Sequence, residues 1–234
     1  MNVRNLSLVE SVYADLRLKL QLSEIGPDDR LVDTEIAEIY GTSRMPAREA
    51  LLRLVAEGYL VGSTRGFMVP VLSRDDIVGL FELRRQLEPR AAAAAARDLT
   101  PQAEADLLAA MNAIRQGNER DDIALMIRGN VAFRSAWIAA VRNPHMAATI
   151  SRFIDYFQGL RIETFADTET RGDYIATLGG LFEAFRARDP LLAQDRMMAF
   201  MFAAEAAYLA ARDRQIEQGQ AAKSRRSKKN TRQE

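Results

Sequence analysis

Ser43-Arg44-Met45-Pro46-Ala47-Arg48-Glu49-Ala50-Leu51-Leu52-Arg53-Leu54 is the stretch on which the reading of this chain turns. Ser43 is an N-cap candidate, and Pro46 lies in the first turn, where its missing N–H costs nothing. Leu51, Leu52 and Val55 continue an apolar face up to Gly58. Just upstream, Asp33 is a cap candidate for a short helix with Ile36, Ala37 and Tyr40 inward, and Gly41 supplies the left-handed residue that ends it. The unit reads as helix, tight turn, helix. Before it, Leu8, Val12, Leu16 and Leu20 recur at steps of four and predict an amphipathic helix that stops in the polar stretch around Gly26-Pro27. After it the period becomes extended at Tyr59–Val61 and Phe67–Val71, around Gly62-Ser63-Thr64-Arg65-Gly66, which predicts a hairpin with a basic tip. Three helices followed by a hairpin make the winged form of the helix-turn-helix, whose second helix enters the major groove of double-stranded DNA.

The residues such a helix offers to DNA are Ser43, Arg44, Met45, Ala47 and Arg48, with Thr34 at the start of the preceding helix and Arg65 at the tip of the wing. Arg44 and Arg48 are four apart and share a face, with Arg44 nearer the helix N-terminus, where phosphate is also attracted. An arginine pairs bidentately with guanine or clamps a phosphate equally well, so the pattern does not assign which does which. The plain alternative is a pair of solvated surface arginines.

From residue 73 to Gln218 the pattern is helical. Ser73 with Asp76 forms a capping-box signature for a long helix through Leu80, Leu83, Leu87 and the run Ala91–Ala96, kinked at Pro89. Thr100-Pro101 and Asp189-Pro190 pair a cap with a first-turn proline, while Gly117 and Asn143-Pro144 supply breaks. The expected architecture is mainly α: a winged helix-turn-helix over residues 6–71, an all-α bundle of six or seven helices over 73–218, and a disordered basic tail over 219–234. A bundle of this kind places its ligand site between facing helices.

Composition removes other readings. With no cysteine and a single histidine, His145, disulfides, thiolate metal sites and sites needing two imidazoles are excluded. No histidine–carboxylate pair, nucleophile elbow or phosphate loop can be assembled, so no catalytic residues are expected and the chain does not read as an enzyme. No apolar run reaches a membrane span and Met1–Glu10 lacks a signal-peptide layout, giving a cytoplasmic, membrane-free expectation. Charges balance at 32 against 32, yet residues 1–222 hold 26 basic and 31 acidic groups, so DNA contact must come from local arginines. The tail, with Lys223, Arg225, Arg226, Lys228, Lys229 and Arg232, reads either as a solubilising terminus or as a nonspecific DNA arm.

Residues 6–71 resemble the winged-helix domain of the GntR family of bacterial transcription regulators: the segment Ser43–Leu54 follows its S-R-x-P-x-R-E-A-L-x-R-L pattern, and Glu57-Gly58-Tyr59-Leu60 its E-G-x-[LV]. The resemblance implies operator contacts by Ser43, Arg44 and Arg48, with Arg65 and Gly66 in the wing. The remainder resembles the helical FCD-type effector domain of the FadR-like branch, opened by Leu83-Arg84-Arg85-Gln86-Leu87-Glu88. Many members hold a metal through an Asp and three His, but the matching positions here are Asn130, Arg134, Leu178 and Phe200, so no metal and no cofactor is expected. Arg134 would put a fixed positive charge where the metal stood, suiting a carboxylate or phosphate, with Asn130 adding an amide and Tyr174, Leu178 and Phe200 forming walls. Arg84 is a second candidate for the pocket, unless Glu88 pairs with it. The competing expectation for Arg134 is an internal ion pair. Together these imply a homodimeric, ligand-responsive regulator, a repressor of a palindromic operator with a small organic acid as effector; the rival is an effector-independent regulator whose bundle only dimerises.

Overall fold

The computed structural model describes residues 7–157, 162 and 164–230. Ser7 caps α1 (Leu8–Gln21) by accepting the N–H of Glu10 at 3.2 Å, and the helix buries Val12, Tyr13, Leu16 and Leu20. A two-residue strand, β1 (Arg30–Leu31), precedes α2 (Asp33–Ile39), and α3 (Arg44–Ala56) follows after Gly41, whose φ of 59° lies in the left-handed region. Two caps differ from expectation. Val32, not Asp33, occupies the N-cap position of α2, while Ser43 is at the N-cap of α3 without a side-chain cap bond. The Asp33 carboxylate is engaged elsewhere, as described below.

The wing is β2 (Val61–Ser63) and β3 (Gly66–Met68), and β1 joins it to make an antiparallel sheet of order β1-β3-β2. Pairing is shorter than the hairpin pattern predicts because Tyr59 and Leu60 turn into the core rather than into a strand, and the ladder ends at Met68. Gly66 is required where β3 crosses β1: its φ is 134°, and a Cβ there would stand 2.6 Å from the Leu31 carbonyl. This unit has its own core of Val12, Leu16, Leu20, Ile36, Leu51, Leu54, Leu60 and neighbours.

The bundle begins with α4 (Arg74–Arg97), whose capping box is complete: Ser73 accepts from the Asp76 N–H and Asp76 accepts from the Ser73 N–H. The helix continues through Pro89 to Arg97. Then come α5 (Pro101–Glu119), α6 (Ile123–Ala139), α7 (Pro144–Asp155), α8 (Thr168–Arg186) and α9 (Pro190–Asn230), six long helices among the described residues. Thr100, Asp122 and Asp167 cap α5, α6 and α8. Gly117 is not a break. It lies inside α5, where a Cβ would come within 2.8 Å of the Met126 nitrogen and 2.9 Å of the Asp122 carbonyl, so glycine serves the close approach of α6; Asp121, at φ 54°, makes the turn.

α9 lies beside both α4 and α8. Its ion pairs with α4 join Arg85 to Glu205 and Arg74 to Asp213, so the two helices run antiparallel. α9 extends to Asn230, where a structureless tail was expected from residue 219. The stretch 219–230 is rich in Lys and Arg, with Ala221 and Ala222, good helix formers that continue a helix without an apolar face. A DNA-arm role for its basic side chains lies outside the described side chains, and residues 231–234 lie outside the described residues. No helix of the described residues is long and apolar enough to cross a membrane.

Candidate functional site

Arg44, Met45 and Arg48 project from the first turns of α3 and are exposed, as are Ser43, Thr34 and the wing-tip Arg65. Ala47, expected beside them, is instead fully buried: it lies on the inner face of α3 with Ala50, Leu51 and Leu54, which keeps the helix amphipathic. Both arginines are held by one acid: Asp33 Oδ2 lies 3.0 Å from Arg44 Nε and 3.1 Å from Arg48 Nη1. Asp33 itself is buried while the arginines are largely exposed, and the hydrogen bond from Arg44, with a further one from Arg48, keeps its carboxyl below the ordinary carboxylate range. Three charges thus form a cluster whose acid is fixed and whose bases face outward.

The bundle candidates also come together. Arg84, Asn130, Arg134, Tyr174 and Phe200 line a cavity of about 30 Å³, and with Leu178 and Trp137 an adjoining one of about 10 Å³. That is room for a water or two. Arg84 is buried and paired with Glu88, its Nη2 lying 3.3 Å from Oε2, while its guanidinium stacks over Phe81 at 4.7 Å and Phe157 at 5.2 Å. The Asn130 amide donates to the Tyr174 hydroxyl. Arg134 meets the competing expectation of an internal ion pair: its Nη2 is 3.4 Å from Asp155 Oδ1. On the other side of Tyr174, a groove of about 270 Å³ runs between α8 and α9 along Thr170, Asp173, Thr177, Ala203 and Ala207. Tyr174, Ala204 and Ala207 border both spaces, so groove and cavity adjoin at these residues.

A divalent metal does not fit this cavity. Asn130, Arg134, Leu178 and Phe200 offer one amide, a cation and two apolar groups, and among the described residues no three His, Cys, Asp or Glu side chains are grouped to hold one.

Sequence reasoning missed the junction between the two units. Asp155, the last residue of α7, is buried and reaches into the winged unit: its Oδ2 accepts from Tyr59 Oη at 2.8 Å, Gln21 Nε2 at 2.9 Å and Arg17 Nη2 at 3.3 Å. Arg17 Nε in turn donates to Tyr59 Oη at 2.8 Å. Burial, then the Asp155 charge, pushes the Tyr59 hydroxyl's pKa upward, so it stays a donor. Gly58, at φ 85°, leaves space for the Tyr156 ring, which a Cβ would overlap. Partners separated by 96 to 138 residues leave no local spacing to detect.

Residues 8–68 match the family of bacterial regulatory proteins called the gntR family, and residues 79–203 match the FCD domain. The chain is 35% identical over 135 residues to the HTH-type transcriptional regulator McbR of Escherichia coli strain K12, spanning 57% of this chain and 61% of that relative. It is 39% identical over 77 residues to the Nta operon transcriptional regulator of Aminobacter aminovorans, spanning 32% of this chain and 37% of that one. The chain therefore aligns with less than two thirds of either relative's length. The solved structure of E. coli McbR/YncC is similar over 87% of this chain and 97% of its own, with a TM-score of 0.77 and 27% identity. These families and relatives are regulators, not enzymes. With its winged helix and its helical bundle both accounted for, the chain belongs to the gntR family of bacterial regulatory proteins and joins that family's DNA-binding domain to an FCD domain.

Proposed function

We propose that this chain is a cytoplasmic transcription regulator that binds a palindromic operator as a homodimer, acts as a repressor, and responds to a small organic acid taken up between α6, α8 and α9. The observation that carries the reading is the Asp33–Arg44–Arg48 cluster on the exposed start of α3, a pair of oriented cations where a helix meets the major groove. Thr34, Ser43, Met45, Arg65 and Gly66 complete the DNA-facing surface.

The ligand reading is supported by Arg84 and Arg134, two cations with little solvent exposure beside one cavity, and by the groove on the far side of Tyr174. Cavity and groove joined by movement of Tyr174 approach the ~300 Å³ at which small-molecule sites begin. Arg134 also touches Asp155, which links the cavity wall to the DNA-binding unit. A ligand that prefers one arrangement of that link shifts the population of the other. A second reading is favoured by the small cavity and the Arg84–Glu88 pair: a regulator without an effector, whose bundle only dimerises.

The test has two parts. Selection of duplexes from a random library by the purified chain should return a two-fold symmetric sequence, and failure to enrich any sequence would defeat the DNA-reading assignment. A thermal-shift screen of small carboxylates then separates the two readings, since a ligand at ~100 times its dissociation constant adds ~2.7 kcal/mol. No stabilising carboxylate would leave the effector-free regulator standing.

A further inference from the structure

Asp155 divides its two oxygens between the two units of the molecule. Oδ2 takes Arg17 and Gln21 from α1 and Tyr59 from the end of the helix-turn-helix, whereas Oδ1 faces Arg134 on α6. A buried carboxylate is costly unless its lone pairs are filled, and here the donors come from both sides of the junction. Apolar contacts such as Leu22 and Leu72 against the bundle core hold the units together without fixing an angle. Hydrogen bonds to a fixed carboxylate are directional and therefore do fix one.

We infer that Asp155 is a positioning residue for operator binding: by bonding Arg17, Gln21 and Tyr59 on one oxygen and Arg134 on the other, it sets the orientation of the winged helix on the bundle and thereby the half-site spacing that a dimer accepts. The inference rests on the proposed reading of a homodimer on a two-fold operator. In such a dimer the bundle defines the distance between protomers, and the angle of each winged helix on its bundle defines where α3 meets the groove. A half-site does not sense that angle; two linked half-sites do. Gly58 belongs to the same junction, because its missing side chain lets the Tyr156 ring sit against the turn that carries Tyr59.

The experiment uses the full chain and duplexes selected by the wild-type protein from a random library, rebuilt as a series with the two half-sites moved apart or together one base pair at a time, and one duplex bearing a single half-site. The wild type should prefer one spacing by ~10-fold or more over its neighbours, within the range of ordinary inter-site coupling. Asp155→Asn, which keeps the shape and removes the charge, should bind the single half-site like the wild type while its preference among spacings collapses to a few-fold. If Asp155→Asn does not fold, the triple variant Arg17→Met, Gln21→Met and Tyr59→Phe, which removes all three winged-helix donors to Oδ2 and leaves Arg134 on Oδ1, should give the same flattening. A variant that folds and keeps the full wild-type spacing preference overturns the inference, as does one that loses half-site and full-site binding in parallel, the result of a purely structural role. A wild type with no preferred spacing removes the two-fold operator reading and the inference with it, an outcome recognisable from the wild type alone.

Discussion

Asp33 grips Arg44 across the turn of the helix-turn-helix, with 3.0 Å between carboxylate Oδ2 and guanidinium Nε, and the same oxygen reaches Arg48 one helical turn further on. On the proposed reading the arginines reach DNA already ordered, which lowers the entropy cost of forming their contacts. Arg44→Ala should cost ~1–3 kcal/mol of operator affinity if its contact is a bidentate base pair, and should weaken all sequences uniformly if it is a phosphate contact. Asp33→Asn should reduce discrimination between operator and point-mutated operators while keeping nonspecific binding. Equilibrium competition with both duplexes measures this, and unaltered discrimination would show that the acid orients nothing.

Removing one member of the buried Arg84–Glu88 pair leaves the other charge uncompensated. Glu88→Gln should destabilise the chain by ~3–5 kcal/mol in urea denaturation. The vacated guanidinium lines the cavity, so formate, the smallest carboxylate, should restore more stability to the variant than it adds to the wild type. Equal responses would mean that Arg84 is closed to anions.

Two glycines should respond oppositely to alanine. At Gly117 a methyl group meets backbone atoms of α6 below 3 Å, and Gly117→Ala should cost ~1–3 kcal/mol through overpacking. Gly79, inside α4, has open space around a built Cβ, and Gly79→Ala should stabilise by ~0.5–1 kcal/mol through helix propensity. Urea midpoints at neutral pH check both signs.

Stability should fall at both ends of the pH scale for separate reasons. Asp15 is held below its ordinary value of 3.8 by hydrogen bonds from Tyr40 and Lys19, Asp76 by those from Ser73, and Asp167 by those from Thr170. Their contribution is complete above 3.8 and is lost as pH falls through the lower folded values. Burial, then the hydrogen bond to Glu57, pushes Tyr13 up to about 12 from 10.0, so its contribution is complete below 10.0 and fades as pH rises towards 12. Urea midpoints against pH should therefore be level between roughly 5 and 9 as far as these groups are concerned, and Asp76→Asn should shallow the acid limb. An acid limb unchanged in that variant would remove Asp76 from the account.

The parts of the fold that were legible in the sequence are those set by local chemistry. The capping box at Ser73, the threonine cap before Pro101, the left-handed Gly41 and the apolar steps of α1 are each decided within one or two turns of chain. Strand β1 was not, since two residues carry no period and gain their place only from the partner strand. The bundle candidates Arg84, Asn130, Arg134, Tyr174, Leu178 and Phe200 do gather around adjoining cavities, but the acids that meet two of them changed the picture. Glu88, four residues from Arg84, was visible as a helix neighbour. Asp155 was not, because only the packed α7 brings it to Arg134 and to the winged helix. Asp33, eleven residues before Arg44, looked like a cap because short acids before a helix commonly are; the turn geometry that aims it at α3 is tertiary.

The antiparallel run of α9 along α4 brings Asp213 beside Arg74, directly after the linker from the wing, with both side chains about half exposed. A chain with no cysteine accepts a single thiol there without competition, and an exposed ion pair gives up little when it is replaced. A fluorophore at that position would sit where the wing's linker enters the bundle, so a change in its emission on adding duplex or carboxylate would test whether the two units move relative to one another.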